Sequence, residues 1–173
     1  NRKLIIYDSF EGLPNDDEDI KERYYPHISY TGNYEKGMYT GNLNEVLSNI
    51  TIYGEKDSVE LRKGFFNQSL KQHNEKIDFL FLDVDLISST KDCILNLWNY
   101  INDDSYIYTD DACDIDVAKI WFDDTWWKKN LSQKSPGYVG SGCGIPLNNN
   151  FSSMGYTIKN PNLSKFIKPD WLR

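Results

Sequence analysis

Three segments of the 173-residue chain drive an apolar run into aspartate: KLIIYD at residues 3–8, FLFLDVD at residues 79–85 and YIYTDD at residues 106–111. A single acid after a strand is ordinarily a turn former or a helix cap. Three such acids on one sheet point to a shared crevice, because ligands of open α/β sheets bind outside the carboxyl ends of the strands. Carboxylates gathered there repel one another unless something positive sits among them. The natural counter-charge is a hard divalent cation, Mg²⁺ first, with Mn²⁺ or Ca²⁺ as alternatives. Softer metals are disfavoured by the supply of ligands, since the chain has only two His and three Cys.

Within DVD, Asp83 and Asp85 point to the same face if the extended geometry continues past Leu82. One can then hold metal while the other accepts a proton from an alcohol whose pKa the metal lowers. The neighbouring pair Asp110 and Asp111 would complete the metal site. Adjacent residues of a strand point opposite ways, so both can reach one ion only if the chain turns there, and the following ACDI is consistent with a turn. Asp114 and Asp116 read as the N-terminal charges of a helix rather than as ligands.

Other residues invite chemistry and have plainer readings. Ser88, Ser89 and Thr90 have no base placed for them and read as a helix cap, with Ser89 and Asp92 as a capping box. His27 and His73 lack a partner nearby in sequence and read as surface or lid residues, His27 being the better placed to touch substrate. Trp126 and Trp127 could stack on a sugar ring, but packing at a helix end explains them more simply. The glycine-rich residues 136–146 open no clear helix; they suit a flexible wall near an acceptor better than a phosphate loop.

The elements that must position these residues alternate. Strands are expected at residues 3–7, 59–62, 77–82, 106–109 and 155–159. Helices are expected from Asn42, with Leu43, Val46, Leu47 and Ile50 on one face, from about Ser89, with Ile94, Leu95, Leu97, Trp98 and Ile101, and over residues 115–127. Residues 15–40 show no clean period and read as a long loop or lid. Continuous apolar strands alternating with helices predict an α/β fold, a mostly parallel sheet covered on both faces, in a single domain over residues 1–173.

Composition narrows the partners. A net charge of −7 opposes general affinity for nucleic acid or anionic membranes, and no apolar run approaches the length of a span. Cys93, Cys113 and Cys143 form no CxxC pair, which fits reduced thiols in a cytoplasmic protein. The chain starts at Asn1 with a strand almost at once, and is expected to be an N-terminally truncated piece.

YDSFEGLP (residues 7–14), GMYTGNLNEV (37–46), KGFF (63–66), DFLFLDVDLISSTKDCILNLW (78–98) and YTDDA (108–112), in that order, resemble the macrocin O-methyltransferase family of sugar O-methyltransferases. The resemblance implies a Rossmann-like class I methyltransferase sheet lacking its first strand, and an enzyme that uses S-adenosylmethionine and Mg²⁺ on the hydroxyl of a sugar or glycosylated small molecule. Carried over by position, Asp83, Asp110 and Asp111 would be the metal ligands and Asp85 the general base. Asp8 would hold the ribose hydroxyls of the cofactor with Ser9 close by, and Phe65 and Phe66 could flank its adenine or simply pack. The family's first strand and glycine-containing cofactor loop are expected upstream of Lys3. Where the family has a tyrosine after DVDL and another after DD, this chain has Ile87 and Ala112. The expected partner is a small-molecule or glycan acceptor, with homo-oligomerisation left open. Two rival readings are a haloacid dehalogenase-type phosphatase or phosphotransferase, with Asp83 as nucleophile, and a non-catalytic methyltransferase-like binding module.

Overall fold

The computed structural model describes residues 2–14, 23–25, 30–32, 35–112, 114–140 and 154–160. The described chain forms two compact units, residues 1–73 and 74–173. The expected α/β class is observed, and each unit is built on a strand–helix–strand crossover with its two strands parallel.

In the first unit β1 (Leu4–Asp8) pairs in parallel with β4 (Val59–Lys63), Asp8 opposite Lys63. Between them in sequence lie a short antiparallel pair, β2 (Arg23–Tyr25) and β3 (Tyr30–Gly32), and the helix α1 (Leu43–Tyr53). The pair β2 and β3 falls inside the stretch read as an irregular loop; the runs are three residues each, too short to show a period. Asn42, where this helix is expected to start, caps α1, its side chain accepting the Asn44 and Glu45 amides, an interaction that stabilises such a helix by about 1 kcal/mol. After β4 comes one turn of helix, α2 (Phe66–Ser69).

His73 corrects its sequence reading. It is buried, at 4% exposure, and its Nδ1 lies 2.9 Å from the Tyr7 hydroxyl. The Arg62 Nη1 donates to the same hydroxyl at 2.6 Å, and Arg62 Nε donates to Glu60 at 2.6 Å. No pattern along the chain could have signalled this relay, because Tyr7 and His73 stand 66 residues apart.

In the second unit β5 (Ile77–Leu82), α3 (Ile87–Leu97) and β6 (Ile101–Thr109) form the crossover. Beyond β6 lie the helices α4 (Ile115–Ile120) and α5 (Asp124–Leu131), and the strands β7 (Val139–Gly140) and β8 (Gly155–Ile158). The sheet runs β5-β6-β8-β7, parallel at its first pairing and antiparallel at the other two. On β6, Ser105, Ile107 and Thr109 are buried while Tyr106 and Tyr108 between them are not. On that second face Phe79, Tyr106, Tyr108 and Tyr156 form a ring ladder with centroids 5.6–5.9 Å apart.

The buried face packs on tryptophan. Trp127 is fully buried, edge-on to Trp98 at 4.7 Å, and its indole N–H donates to the Ile120 carbonyl at 2.7 Å. Lys159 sets its ammonium 4.4 Å from the Trp98 ring centre and donates to the Trp98 carbonyl, and burial holds its pKa below the ordinary lysine value. The helix expected over residues 115–127 is two helices, because Asp123 starts a second one by accepting the Thr125 and Trp126 amides. The break lets Trp121 and Trp127 pack together, tilted, with centroids 6.0 Å apart.

Two further expectations for α3 are overturned. Its N-cap is Leu86, not Ser89, because the chain turns at Asp85 and helix begins three residues earlier than the capping box implied. Ser89 and Thr90 are buried within the helix, the Thr90 hydroxyl donating to the Leu86 carbonyl at 2.8 Å. Leu95 lies on the exposed side, and Ile101 belongs to β6.

Removing the Trp127 side chain empties the centre of this core. Trp127→Ala is expected to destabilise the protein by about 3–5 kcal/mol in denaturant unfolding, against less than about 1 kcal/mol for truncation of the exposed Phe122.

Candidate functional site

The parallel register of β5 and β6 places Leu82 opposite Thr109, so the residues that follow, Asp83 and Asp110, leave the sheet at the same edge. The ladder extends one step beyond the strands, the Asp110 amide donating to the Leu82 carbonyl at 2.9 Å. The extended geometry assumed for DVD does not persist. Asp85 has φ 57°, and the Leu86 amide donates to the Val84 carbonyl around it at 2.5 Å. A non-glycine residue in this left-handed region is uncommon, and such residues gather at functional sites.

The turn required after Asp110 is present: the Asp114 amide donates to the Asp111 carbonyl at 3.1 Å, and Asp114 caps α4 through the Asp116 and Val117 amides. That turn brings the Asp111 side chain back over the end of β5. Its Oδ2 accepts from the amides of Val84, at 3.4 Å, and Asp85, at 3.2 Å.

The four carboxylates therefore feel one another. Burial first, then Asp85 and Asp83, push the Asp111 carboxyl up to about 7, although the two amide bonds pull the other way. Asp83 is exposed as a residue, yet crowding of its carboxyl and the nearby Asp110 push its pKa up as well. The donors are all hard oxygens, the set that suits Mg²⁺. As the side chains stand, no group of three or more His, Cys, Asp or Glu among the described residues forms a metal-holding arrangement.

The other expected site residues, Asp8 and Ser9, lie in the first unit. The Asp8 carbonyl accepts the Gly64 amide at 2.9 Å, and its Oδ1 accepts the Phe10 amide at 2.5 Å. The Ser9 hydroxyl donates to the Gly12 carbonyl and accepts the Glu11 amide, so it shapes the loop that carries Asp8. Beside the end of β4 a polar cleft of about 580 Å³ is lined by Arg62, Lys63, Gln68 and Gln72.

Trp126 and Trp127 pack edge to face at 5.7 Å, in keeping with their reading as packing residues, and Phe65 and Phe66 are half-buried. Ala112 is fully buried, its Cβ 3.3 Å from where a Cβ on Gly140 would stand. His27, Cys113, Cys143 and most of residues 136–146 lie outside the described residues. No helix among the described residues is long and apolar enough to cross a membrane.

A family model described as TylF, macrocin-O-methyltransferase, matches residues 1–134. Among solved structures the chain is similar to the O-methyltransferase NovP, with a TM-score of 0.61 and 21% identity over 92% of this chain and 60% of that one. It is also similar to CalS11, a calicheamicin methyltransferase, with a TM-score of 0.51 and 21% identity over 91% of this chain and 60% of that one. At this identity the likeness is one of fold, and the chain spans about 60% of the length of either structure. No curated protein matches the chain.

Asp111 makes a thermodynamic prediction. Its carboxyl is raised from 3.8 to about 7 in the fold, so between these values the folded chain keeps a proton that the unfolded chain has lost. Stability of chelator-treated protein is then expected to fall by on the order of a few kcal/mol as pH rises from about 4 to 7. Asp111→Asn should flatten that slope and raise the midpoint of thermal unfolding at pH 8.

Proposed function

Because the chain belongs to the macrocin O-methyltransferase family, we propose that it serves transfer of a methyl group from S-adenosylmethionine to a hydroxyl of a sugar or glycosylated small molecule. The observation that carries the reading is the set of four carboxylates at the ends of β5 and β6, two of them pushed toward the protonated form by burial first and then by their neighbours. Such a set is most stable when a cation sits among its members.

In this reading Asp83, Asp110 and Asp111 hold Mg²⁺ and Asp85 is the general base. A divalent cation there supplies charge that lowers the pKa of an acceptor hydroxyl. The positive φ of Asp85 turns the chain sharply between the end of β5 and α3, which supports a task for its carboxylate separate from that of Asp83. Asp111, tied to the Val84 and Asp85 amides, keeps ligand and base in fixed relation. Asp8 accepts the ribose hydroxyls, with one carboxylate oxygen already oriented by the Phe10 amide. The same reading takes residues 1–173 as parts of one methyltransferase domain. It also assigns the protein to a reducing, cytoplasmic setting, in keeping with the buried free thiol of Cys93.

The phosphatase reading leaves the DSFEGLP segment at residues 8–14 unexplained, whereas the macrocin-O-methyltransferase model takes in that segment together with the strand-end aspartates, over residues 1–134. Calorimetric titration of full-length protein tests the rest. Mg²⁺ and S-adenosylhomocysteine are expected to bind the wild type, and Asp110→Asn to abolish Mg²⁺ binding; absence of both in the wild type would favour a non-catalytic module. Asp85→Asn should lower kcat by roughly 10²–10⁴-fold, the range of a general base, while leaving Mg²⁺ affinity within a few-fold.

A further inference from the structure

The loop after Asp8 is laced to a second loop at residues 35–40, and that loop carries an exposed ring. Leu13 donates its amide to the Met38 carbonyl at 2.9 Å and accepts the Gly37 amide at 3.0 Å. Gly12, at φ 77°, makes the approach possible: a Cβ there would stand 2.5 Å from Gly37 C and O and from Met38 O, all of them backbone atoms that cannot swing aside. The turn at residues 35–40 is itself braced, the Met38 amide donating to the Glu35 carbonyl and the Thr40 hydroxyl to the Gly37 carbonyl.

At the tip of this braced turn Tyr39 is held at φ 61° with 68% of its surface exposed. A bulky side chain rarely adopts that backbone conformation, and such departures accumulate where ligands bind. The flanking peptide is fixed to the loop whose first residues are Asp8 and Ser9, so ring and carboxylate are parts of one backbone-bonded assembly.

We propose that the turn at residues 35–40 is the second wall of the nucleoside site begun by Asp8, and that Tyr39 is the ring on which the purine base rests. The inference depends on the proposed use of S-adenosylmethionine and adds to it a base-contacting residue. A stacked base takes its affinity from ring area and not from the phenol oxygen, so tyrosine and phenylalanine should serve alike.

The test is calorimetric titration of S-adenosylhomocysteine, and separately of adenosine, into full-length wild type, Tyr39→Ala, Tyr39→Phe and Asp8→Asn. Tyr39→Ala is expected to weaken both probes about tenfold, the low end of base-on-aromatic stacking, and Tyr39→Phe to stay within twofold of wild type. Tyr39→Ala within twofold of wild type, while Asp8→Asn loses binding, would overturn the inference and leave the proposed function standing. No binding of either probe by the wild type would overturn both.

Discussion

The bond from Asp111 Oδ2 to the amides of Val84 and Asp85 ties the end of β6 to the turn after β5. It does so by bringing a fourth carboxylate into a place where three already stand. Burial and like charge oppose that placement strongly enough to raise the Asp111 carboxyl to about 7. The sharp turn at Asp85, the early start of α3 and the parallel exit of Asp83 and Asp110 all meet at this point. Like charges gathered and half-buried at one sheet edge in this way favour a counter-charge among them.

What supports the strained edge is apolar and lies beneath it. Trp98 and Trp127 pack edge-on, and the break at Asp123 sets Trp121 against Trp127 with the two rings tilted. The Thr109 hydroxyl, one residue before the acids, shares a 2.8 Å bond with the Tyr138 hydroxyl inside the core. The last turn of β6 is therefore fixed from below before its aspartates emerge.

Much of this was legible in the sequence because it rests on local signals. The apolar runs that became β1, β4 and β5, the Asn42 cap and the Asp114 cap each follow from residue type and spacing over a few positions. The strand-end acids could be named as a set for the same reason. Tertiary bonding supplied what was missed. A strand period cannot foresee that the chain reverses at Asp85, since nothing in DVDL distinguishes the left-handed turn from continued extension. Ser89 looked like a cap because its type suits one, yet burial claimed it for the helix interior. His73 was misread because its partner Tyr7 is distant in sequence, and Gly12 shows its constraint only against the peptide of Gly37.

In the proposed reading Asp83, Asp110 and Asp111, at the β5 and β6 ends, hold one cation beside Asp85. Electron paramagnetic resonance of Mn²⁺ added to full-length protein reads this directly, because bound Mn²⁺ leaves the free-ion signal. One bound ion per chain is expected in the wild type, displaced by excess Mg²⁺, and none in Asp111→Asn. Equal Mn²⁺ occupancy in the wild type and the variant, or none in either, would contradict it.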